Sequence, residues 1–412
     1  MLGKNDNILD FTQALKEDFG LEFEGRRKGS TISKTYQPFS ITNIQEAIDH
    51  FTLKYIYDLS GRKRNVIHEK IFHDGSVYHG EMKADKRNGR GIYMYTNGDK
   101  YCGEWLDDVF EGLGIYLYAN GDYYYGELSD GKKHGVGIYR YANGSFYEGS
   151  WAFDRKNGRG LFVNISSKGK YEGEWRDNEK SGIGRYEYPN GDIYEGGWLK
   201  GRKHGKGTFI FNDKATYNGD WIENRAEGEG TMSYTNGDRY IGYFKNNKKN
   251  GFGTIFFKDK SSYEGFWKED LKFNKGIFKY ANGDRYEGEW KDDKRWGNGV
   301  YEYSNGGQYD GKWVDDQRDG LGTLTLKNGD VYIGEWKHNL KHGVGRYVFS
   351  TNDVYEGEWQ FGKKHGRGNY VWISGEKYNG EYQHDRMDGT GLYTDINGVT
   401  RTVHFKGDVL IK

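Results

Sequence analysis

The sequence predicts an all-β fold: an elongated, single-layer antiparallel meander of 23-residue β-hairpin repeats, with a short helical cap at the N-terminus. Three observations carry the prediction. A tyrosine recurs at fixed spacing from Tyr78 and Tyr101 to Tyr378, every step being 23 residues except Tyr147 to Tyr171, which is 24. Inside each unit the residue types alternate with period two, which marks strands rather than helices. Each unit also carries Asn-Gly or a close substitute. A fixed period of this length is the mark of a repeat array.

The unit is clear in Tyr171-Glu172-Gly173-Glu174-Trp175, followed by Gly182-Ile183-Gly184 and Asn190-Gly191-Asp192. In Tyr101-Cys102-Gly103-Glu104-Trp105, and again from Gly112 to Tyr118, glycines and aromatics share one parity. Asn120-Gly121 supplies φ > 0 at little cost and is read as the tight turn. The charged segment before the paired glycines is read as a hairpin loop. Each unit is then two short antiparallel strands. One face carries Tyr, Gly, Trp and further rings and is the packed one. The other, with Glu172, Glu174, Arg176 and Arg185, is mostly solvated. Glycine weakens a strand interior, so its recurrence needs a cause. The expected cause is close approach, with rings of the neighbouring hairpin lying over Gly112 and Gly114. A lone hairpin is marginal in water, and stacked neighbours supply the missing burial.

Tyr-Glu-Gly-Glu-Trp, then Lys-His-Gly-x-Gly, then Asn-Gly-Asp, resembles the MORN repeat family, in fourteen units in register. The resemblance implies an elongated, twisted single-layer sheet used as a scaffold, often in cytoskeletal or ciliary assemblies such as those of radial-spoke-type members. It also implies a second possibility, lipid binding. Family members that are enzymes carry a separate catalytic domain, for which this sequence leaves no room.

Composition agrees with a thin sheet. Hydrophobic residues make up 34% of the 412 and aromatics 17%, which favours ring-glued layers over a thick core. Lysine plus arginine equals aspartate plus glutamate at 61 each, so no long-range field draws in nucleic acid. Cys102 is the only cysteine, which excludes an intrachain disulfide, and its parity makes it a small half-exposed residue of the solvated face. No apolar run reaches transmembrane length, and the start lacks a signal-peptide core and a myristoylation pattern. The expected location is cytoplasmic, and Asn143-Gly144-Ser145 and Asn164-Ile165-Ser166 are then turns rather than glycosylation acceptors.

Residues 1–54 do not repeat. Ile8, Phe11, Leu15 and Phe19 share one helical face, and Thr42-Asn43-Ile44-Gln45 has the form of a capping box before Ile48 and Phe51. Two short helices are expected there, the second covering the first hairpin or docking a partner. Residues 55–77 form a degenerate capping repeat, residues 78–400 the fourteen repeats, and residues 401–412 a degenerate C-terminal cap ending in Val409-Leu410-Ile411. Asn274 in place of a glycine, Phe244 in place of a tryptophan and Asp213-Lys214-Ala215 in a turn predict local changes of twist without breaks.

No catalytic constellation stands out. His134, His204, His342 and His365 occupy one repeat position, a period apart, and lack the clustering that zinc requires. Gly201 to Gly207 lacks the spacing of a phosphate loop. Carboxylates are periodic and solvated, without an apolar pocket to raise a catalytic pKa. No enzyme activity, cofactor or metal is expected.

Three sets of side chains are candidate contact sites. The outer rings Tyr188, Tyr280, Tyr303, Phe349 and Trp372, next to the Asn-Gly turns, form an apolar stripe along a concave aromatic face, and a partner groove is expected there. Phe110 and Trp296 place rings where loops usually carry charge and are expected at a loop-edge interface. Lys132, Lys133, Arg202, Lys203, Lys363 and Lys364 form basic loops that anionic lipid would contact. The expected function is a non-catalytic scaffold holding cytoskeletal, ciliary or axonemal partner proteins, with self-association open. The alternative is a phosphoinositide-binding tether between membrane and cytoskeleton, which the interleaved acidic loops weaken. No nucleic acid partner is expected.

Overall fold

A computed structural model of the chain describes residues 67–411. The expected helices of residues 1–54, and the degenerate unit up to residue 66, lie outside the described residues. Within them the period-two segments are strands throughout: thirty-one strands and no helix. The chain divides into two compact units, one ending at Arg202 and the other beginning at Lys203. Within each, successive strands pair antiparallel in chain order.

Each repeat has a tyrosine strand and a glycine strand. In the repeat of Tyr101 these are Lys100–Leu106 and Val109–Leu117. They are joined by Asp107-Asp108 alone, at φ 48° and 76°. Two residues with φ > 0 form a turn whose twist matches that of the strands. The tight turn therefore sits at the charged end and not at Asn-Gly. Asp and Asn tolerate this conformation better than other residues with a Cβ, which explains Asp177-Asn178, Asn246-Asn247 and Asp315-Asp316 at the same place. The Asn-Gly end is a longer connection. Tyr118 N–H donates to Asp122 C=O at 3.0 Å and Gly121 N–H to Tyr118 C=O at 3.0 Å, with Gly121 at φ 89°.

Register explains the glycines, and differs from the sequence expectation. Tyr101 lies opposite Tyr116 and Gly103 opposite Gly114. The ladder then slips, so that Trp105 faces Phe110. Tyr101 is fully buried, and its ring covers Gly103 and Gly114 of its own repeat. A Cβ at Gly114 would come 2.5 Å from the Tyr101 hydroxyl oxygen. Gly112 has a different neighbour: a Cβ there would run into the Glu104 carboxylate on the other face, and its φ is +72°. The ring from the neighbouring repeat is the tryptophan. Trp105 meets Tyr78 and Tyr101 edge to face at 5.5 and 5.2 Å and donates its indole N–H to Gly91 C=O at 3.3 Å. Offset and edge-to-face rings attract one another beyond their burial. The core of the fold is this row of leading tyrosines alternating with tryptophan, or with Met82, Leu128, Phe244 and Tyr382 in four repeats.

The second face is not solvated everywhere. Cys102 is 3% exposed between its strand partners Ile92 and Ile115, which are buried too. Burial pushes the Cys102 thiol far above its usual range. The half-exposed position expected from parity alone is corrected accordingly.

The departures from the repeat keep the strand pairing. Lys214, Lys260 and Asn274 adopt φ of 78°, 74° and 57° where glycine is usual. Phe244 takes the tryptophan's place between Tyr217 and Tyr240, at 4.9 and 5.2 Å. At the C-terminal edge Val409–Leu410 pairs with Phe405 and Lys406.

Candidate functional site

Three repeating arrays of side chains build the surfaces of the molecule. The first is the ring face. Two residues beyond the residue opposite the leading tyrosine comes, in most repeats, a second, outer ring. Tyr188 packs on Tyr186 at 4.5 Å, Tyr280 on Phe278 at 4.4 Å, and Tyr303 on Tyr301 at 4.7 Å. Phe349 packs on Tyr347 at 4.6 Å and Trp372 on Tyr370 at 4.8 Å. All five outer rings are half-buried. Three of them also reach toward the next repeat: Tyr280 to Tyr301 at 5.6 Å, Phe349 to Tyr370 at 5.7 Å, Trp372 to Tyr393 at 6.3 Å. In the unit that begins at Lys203, the candidate groove residues Tyr280, Tyr303, Phe349 and Trp372 thus hold one repeat position, half-buried; Tyr188 holds the same position in the unit that ends at Arg202. Burial pushes the Tyr188 hydroxyl up to about 12.

The second array is cationic and was not legible as such in the sequence. Nine residues after each leading tyrosine stands Lys, Arg or an apolar side chain, and it turns onto the rings. The Lys180 ammonium lies 4.1 Å from the centre of Tyr186 and 4.5 Å from that of Trp198. Lys203 lies 4.1 Å from Trp221, and Lys133 5.0 and 5.3 Å from Tyr139 and Trp151. Lys364 sits 5.1 Å from Tyr370 and 5.4 Å from Tyr382. Ring faces attract cations at such distances, while burial lowers the pKa of Lys133 and Lys364, and takes that of Lys156, Lys180 and Lys341 to about 8. Of the six basic residues expected to meet lipid, Lys133, Lys203 and Lys364 are therefore built into the ring face. Only Lys132, Arg202 and Lys363 are exposed at the edge.

Phe110 occupies the same cationic position in its repeat. It packs against Tyr101 at 4.1 Å and Trp105 at 4.7 Å, in the row rather than at a loop edge. Trp296 is one residue further along its repeat and points to the other face, opposite Glu289 and 4.5 Å from the Lys291 ammonium. Within its own repeat Phe110 thus belongs to the ring face and Trp296 to the other.

The third array stitches repeats together at both edges. At the Asn-Gly edge Asp122 accepts Ala142 N–H at 2.8 Å and the Tyr139 hydroxyl at 2.7 Å. Asp284 and Asp330 repeat both bonds, to Ser304 and Tyr301 and to Ser350 and Tyr347. At the tight-turn edge Asp154 accepts Lys133 N–H, Asn224 accepts Lys203 N–H and Asp316 accepts Arg295 N–H, at 2.9 to 3.0 Å. On the second face Glu104, Glu127 and Glu358 accept the amide just past the first of the paired glycines, at 3.0 to 3.2 Å. These carboxylates read as solvated in the sequence; their fixed place in the unit was the available signal.

Among the described residues no group of His, Cys, Asp and Glu is arranged to hold a metal ion, and no helix is long and apolar enough to cross a membrane. His134 and His342 meet Phe153 and Phe361 edge to face at 5.2 and 6.1 Å.

The MORN repeat family model matches fourteen stretches: residues 78–100, 101–123, 124–146, 147–164, 171–193, 194–216, 217–239, 240–262, 263–285, 286–308, 309–331, 332–354, 355–377 and 378–400. Comparison with curated proteins gives no match. Among solved structures, the chain is similar to the SAS-4 (dCPAP) TCP domain in complex with a proline-rich motif of Ana2 (dSTIL) of Drosophila melanogaster. Identity is 14%, coverage 43% of this chain and 90% of that one, and the TM-score 0.26. It is also similar to the wild-type TCP10 domain of Danio rerio CPAP in complex with a peptide of Danio rerio STIL, at 12% identity, 61% and 95% coverage and a TM-score of 0.23.

Proposed function

The chain belongs to the MORN-repeat family, and from that premise we propose that it is a non-catalytic scaffold that holds extended segments of partner proteins along its outer ring row. The observation that carries this reading is the recurrence of that outer position. Between Lys203 and Lys412 the outer position is Phe211, Tyr234, Phe257, Tyr280, Tyr303, Leu326, Phe349 and Trp372 in consecutive repeats. A run of apolar side chains at one repeat spacing, half-buried except for the exposed Leu326, suits a chain lying across the strands, which would cover the remaining edges. The rigid stitching beneath means that little order need be gained on binding.

The finer reading rests on the family's habits. We assign the scaffold to the cytoplasm and to a cytoskeletal assembly, the ciliary axoneme first, with residues 78–400 as the binding array and residues 55–77 and 401–412 as caps. The phosphoinositide tether is the less favoured reading, because Lys133, Lys203 and Lys364 are engaged with rings.

The test is the full-length double variant Tyr303→Ala, Trp372→Ala. Its circular dichroism should match that of the parent, since neither residue is a leading tyrosine. Native purification should then lose partner proteins that the parent retains, cytoskeletal ones among them. Retention of every partner by the folded variant would rule the ring row out, and recovery of membrane proteins alone would favour the tether.

A further inference from the structure

The second face departs from the repeat in one place. The fourth residue of the unit, the carboxylate position of Glu81, Glu104 and Glu358, is aromatic in two units only, as Tyr243 and Phe266. These lie on Arg239–Lys245 and Ser262–Lys268, with Lys248–Phe256 paired between them. Phe252 of the middle strand faces Phe266 in register, edge to face at 5.6 Å. Tyr243 stands over Gly251, where an added Cβ would lie 3.1 Å from its own. Phe273 extends the group onto the next strand, Leu271–Lys279. The four rings are 40 to 46% exposed.

Internal packing does not account for this patch. Tyr243 and Phe266 cannot supply the carboxylate that accepts the amide past the paired glycines in other units, so both units forgo that bond. The rings remain open to water. With Ile241 and Phe256 beside them, also exposed, the uncovered apolar surface is roughly 500 Å², taking ~200 Å² for a whole aromatic side chain. That is large for one patch on a monomer and below the ~800 Å² per partner of a stable dimer. The rim is basic. Lys245, Lys268 and Lys275 are exposed around the rings, Lys268 at 5.2 Å from Phe273. Of the nearby carboxylates, Glu229 accepts the Tyr243 hydroxyl at 2.9 Å, Glu269 pairs with Lys248 at 2.8 Å, and Glu289, opposite Lys275 in register, accepts the Asn298 amide at 3.1 Å, while Glu264 is exposed two residues before Phe266 on the same face.

We propose that this patch is a second docking surface, distinct from the ring row, for an acidic peptide segment with bulky apolar side chains. Those side chains seat among Tyr243, Phe252, Phe266 and Phe273. The segment's carboxylates meet Lys245, Lys268 and Lys275. Area argues for a peptide over a second copy of the chain, and the rim charge argues for an acidic one.

The test uses the full chain and the variant Tyr243→Glu, Phe266→Glu, which restores the unit's usual residue and should fold at least as well as the parent. The probes are two fluorescein-labelled synthetic peptides, one alternating Leu and Trp with Glu, the other with Lys replacing Glu. The Glu peptide should bind the parent, weaken as salt is raised, and bind the variant about tenfold or more less tightly. The Lys peptide should bind the parent about tenfold less tightly than the Glu peptide. Tyr303→Ala, Trp372→Ala should leave Glu-peptide binding unchanged, which separates this surface from the ring row. Equal binding by the Glu variant, equal binding of the Lys peptide, or loss of binding in the ring-row variant would each overturn the proposal. So would a dimer of the parent in sedimentation that the Glu variant abolishes, since the patch would then join two copies.

Discussion

The Lys341 ammonium lies 4.0 Å from the centre of the Trp359 ring, contributed by the following repeat. Tyr347 flanks the same ammonium at 4.5 Å. A cation here bonds to ring faces in place of water, which couples the stability of the sheet to proton uptake.

Stability should pass through a maximum near pH 10. Burial lowers the pKa of Lys156, Lys180 and Lys341 to about 8, against about 10.4 in an unfolded chain. Between these values the unfolded state holds protons that the folded state has released, so stability rises with pH. The buried tyrosines act in the opposite sense. Burial holds Tyr171, Tyr332 and Tyr355 well above their ordinary value of about 10. Above pH ~10 the unfolded tyrosines ionise first, and stability falls. Urea midpoints from pH 7 to 11 should trace the rise and the fall. The triple variant Lys156→Met, Lys180→Met, Lys341→Met should flatten the rise and leave the fall.

The two paired glycines should respond differently. Gly184→Ala drives a methyl into the fully buried Tyr171 ring and is expected to cost about 3 kcal/mol, the range of an overpacked core. Gly182→Ala meets the Glu174 side chain, whose carboxylate end can swing away, but at φ 58°, and should cost about 1–2 kcal/mol. Denaturant titration of the two variants gives the ranking. The reverse order would remove the ring-over-glycine account.

Acid should loosen the Asn-Gly edge. The Tyr347 hydroxyl and the Ser350 amide hold the Asp330 carboxyl below its ordinary pKa. The stability this contributes is present above about pH 4 and is lost as pH falls through the lowered value. Asp330→Ala should remove that acid sensitivity locally and lower stability by about 1 kcal/mol. Hydrogen exchange at Ser350 should quicken in the variant at neutral pH.

Phe361 begins a tight turn at φ 49° and is 71% exposed. A bulky side chain in that conformation is strained and has little burial to offset it. Phe361→Asn should raise stability by about 1 kcal/mol, read as a higher melting temperature. A lower one would mean that the edge-to-face contact of Phe361 with His342 outweighs the strain.

Parity alone placed Tyr101, Gly103 and Trp105 on one packed face, and they share it. It failed at Cys102, because the second face is buried there by Ile92 and Ile115, which are distant in sequence. The turns were misread for a definable reason. Asn-Gly is the strongest short hairpin signal, yet here it serves the longer connection. The tight turn is carried by pairs as unlike as Glu223-Asn224 and His338-Asn339, whose common trait is tolerance of φ > 0 at the second residue. Lys203 read as loop charge because its two closest rings, Phe209 and Trp221, come from different strands. Glu104 read as solvated because its bonding partner exists only once the register slip has formed.

The stitching has a consequence for how such a chain can change. The bonds that tie one repeat to the next span about one period, as from Asp122 to Ala142 or from Asp316 to Arg295. None needs a residue from a distant repeat. Excising Tyr309 to Asp330 together with Val331 would bring Asp330's bonding role to Gly307 and the turn before it, where a single side chain would have to be restored. Length is therefore an adjustable property of this sequence, open to gain or loss in steps of one unit.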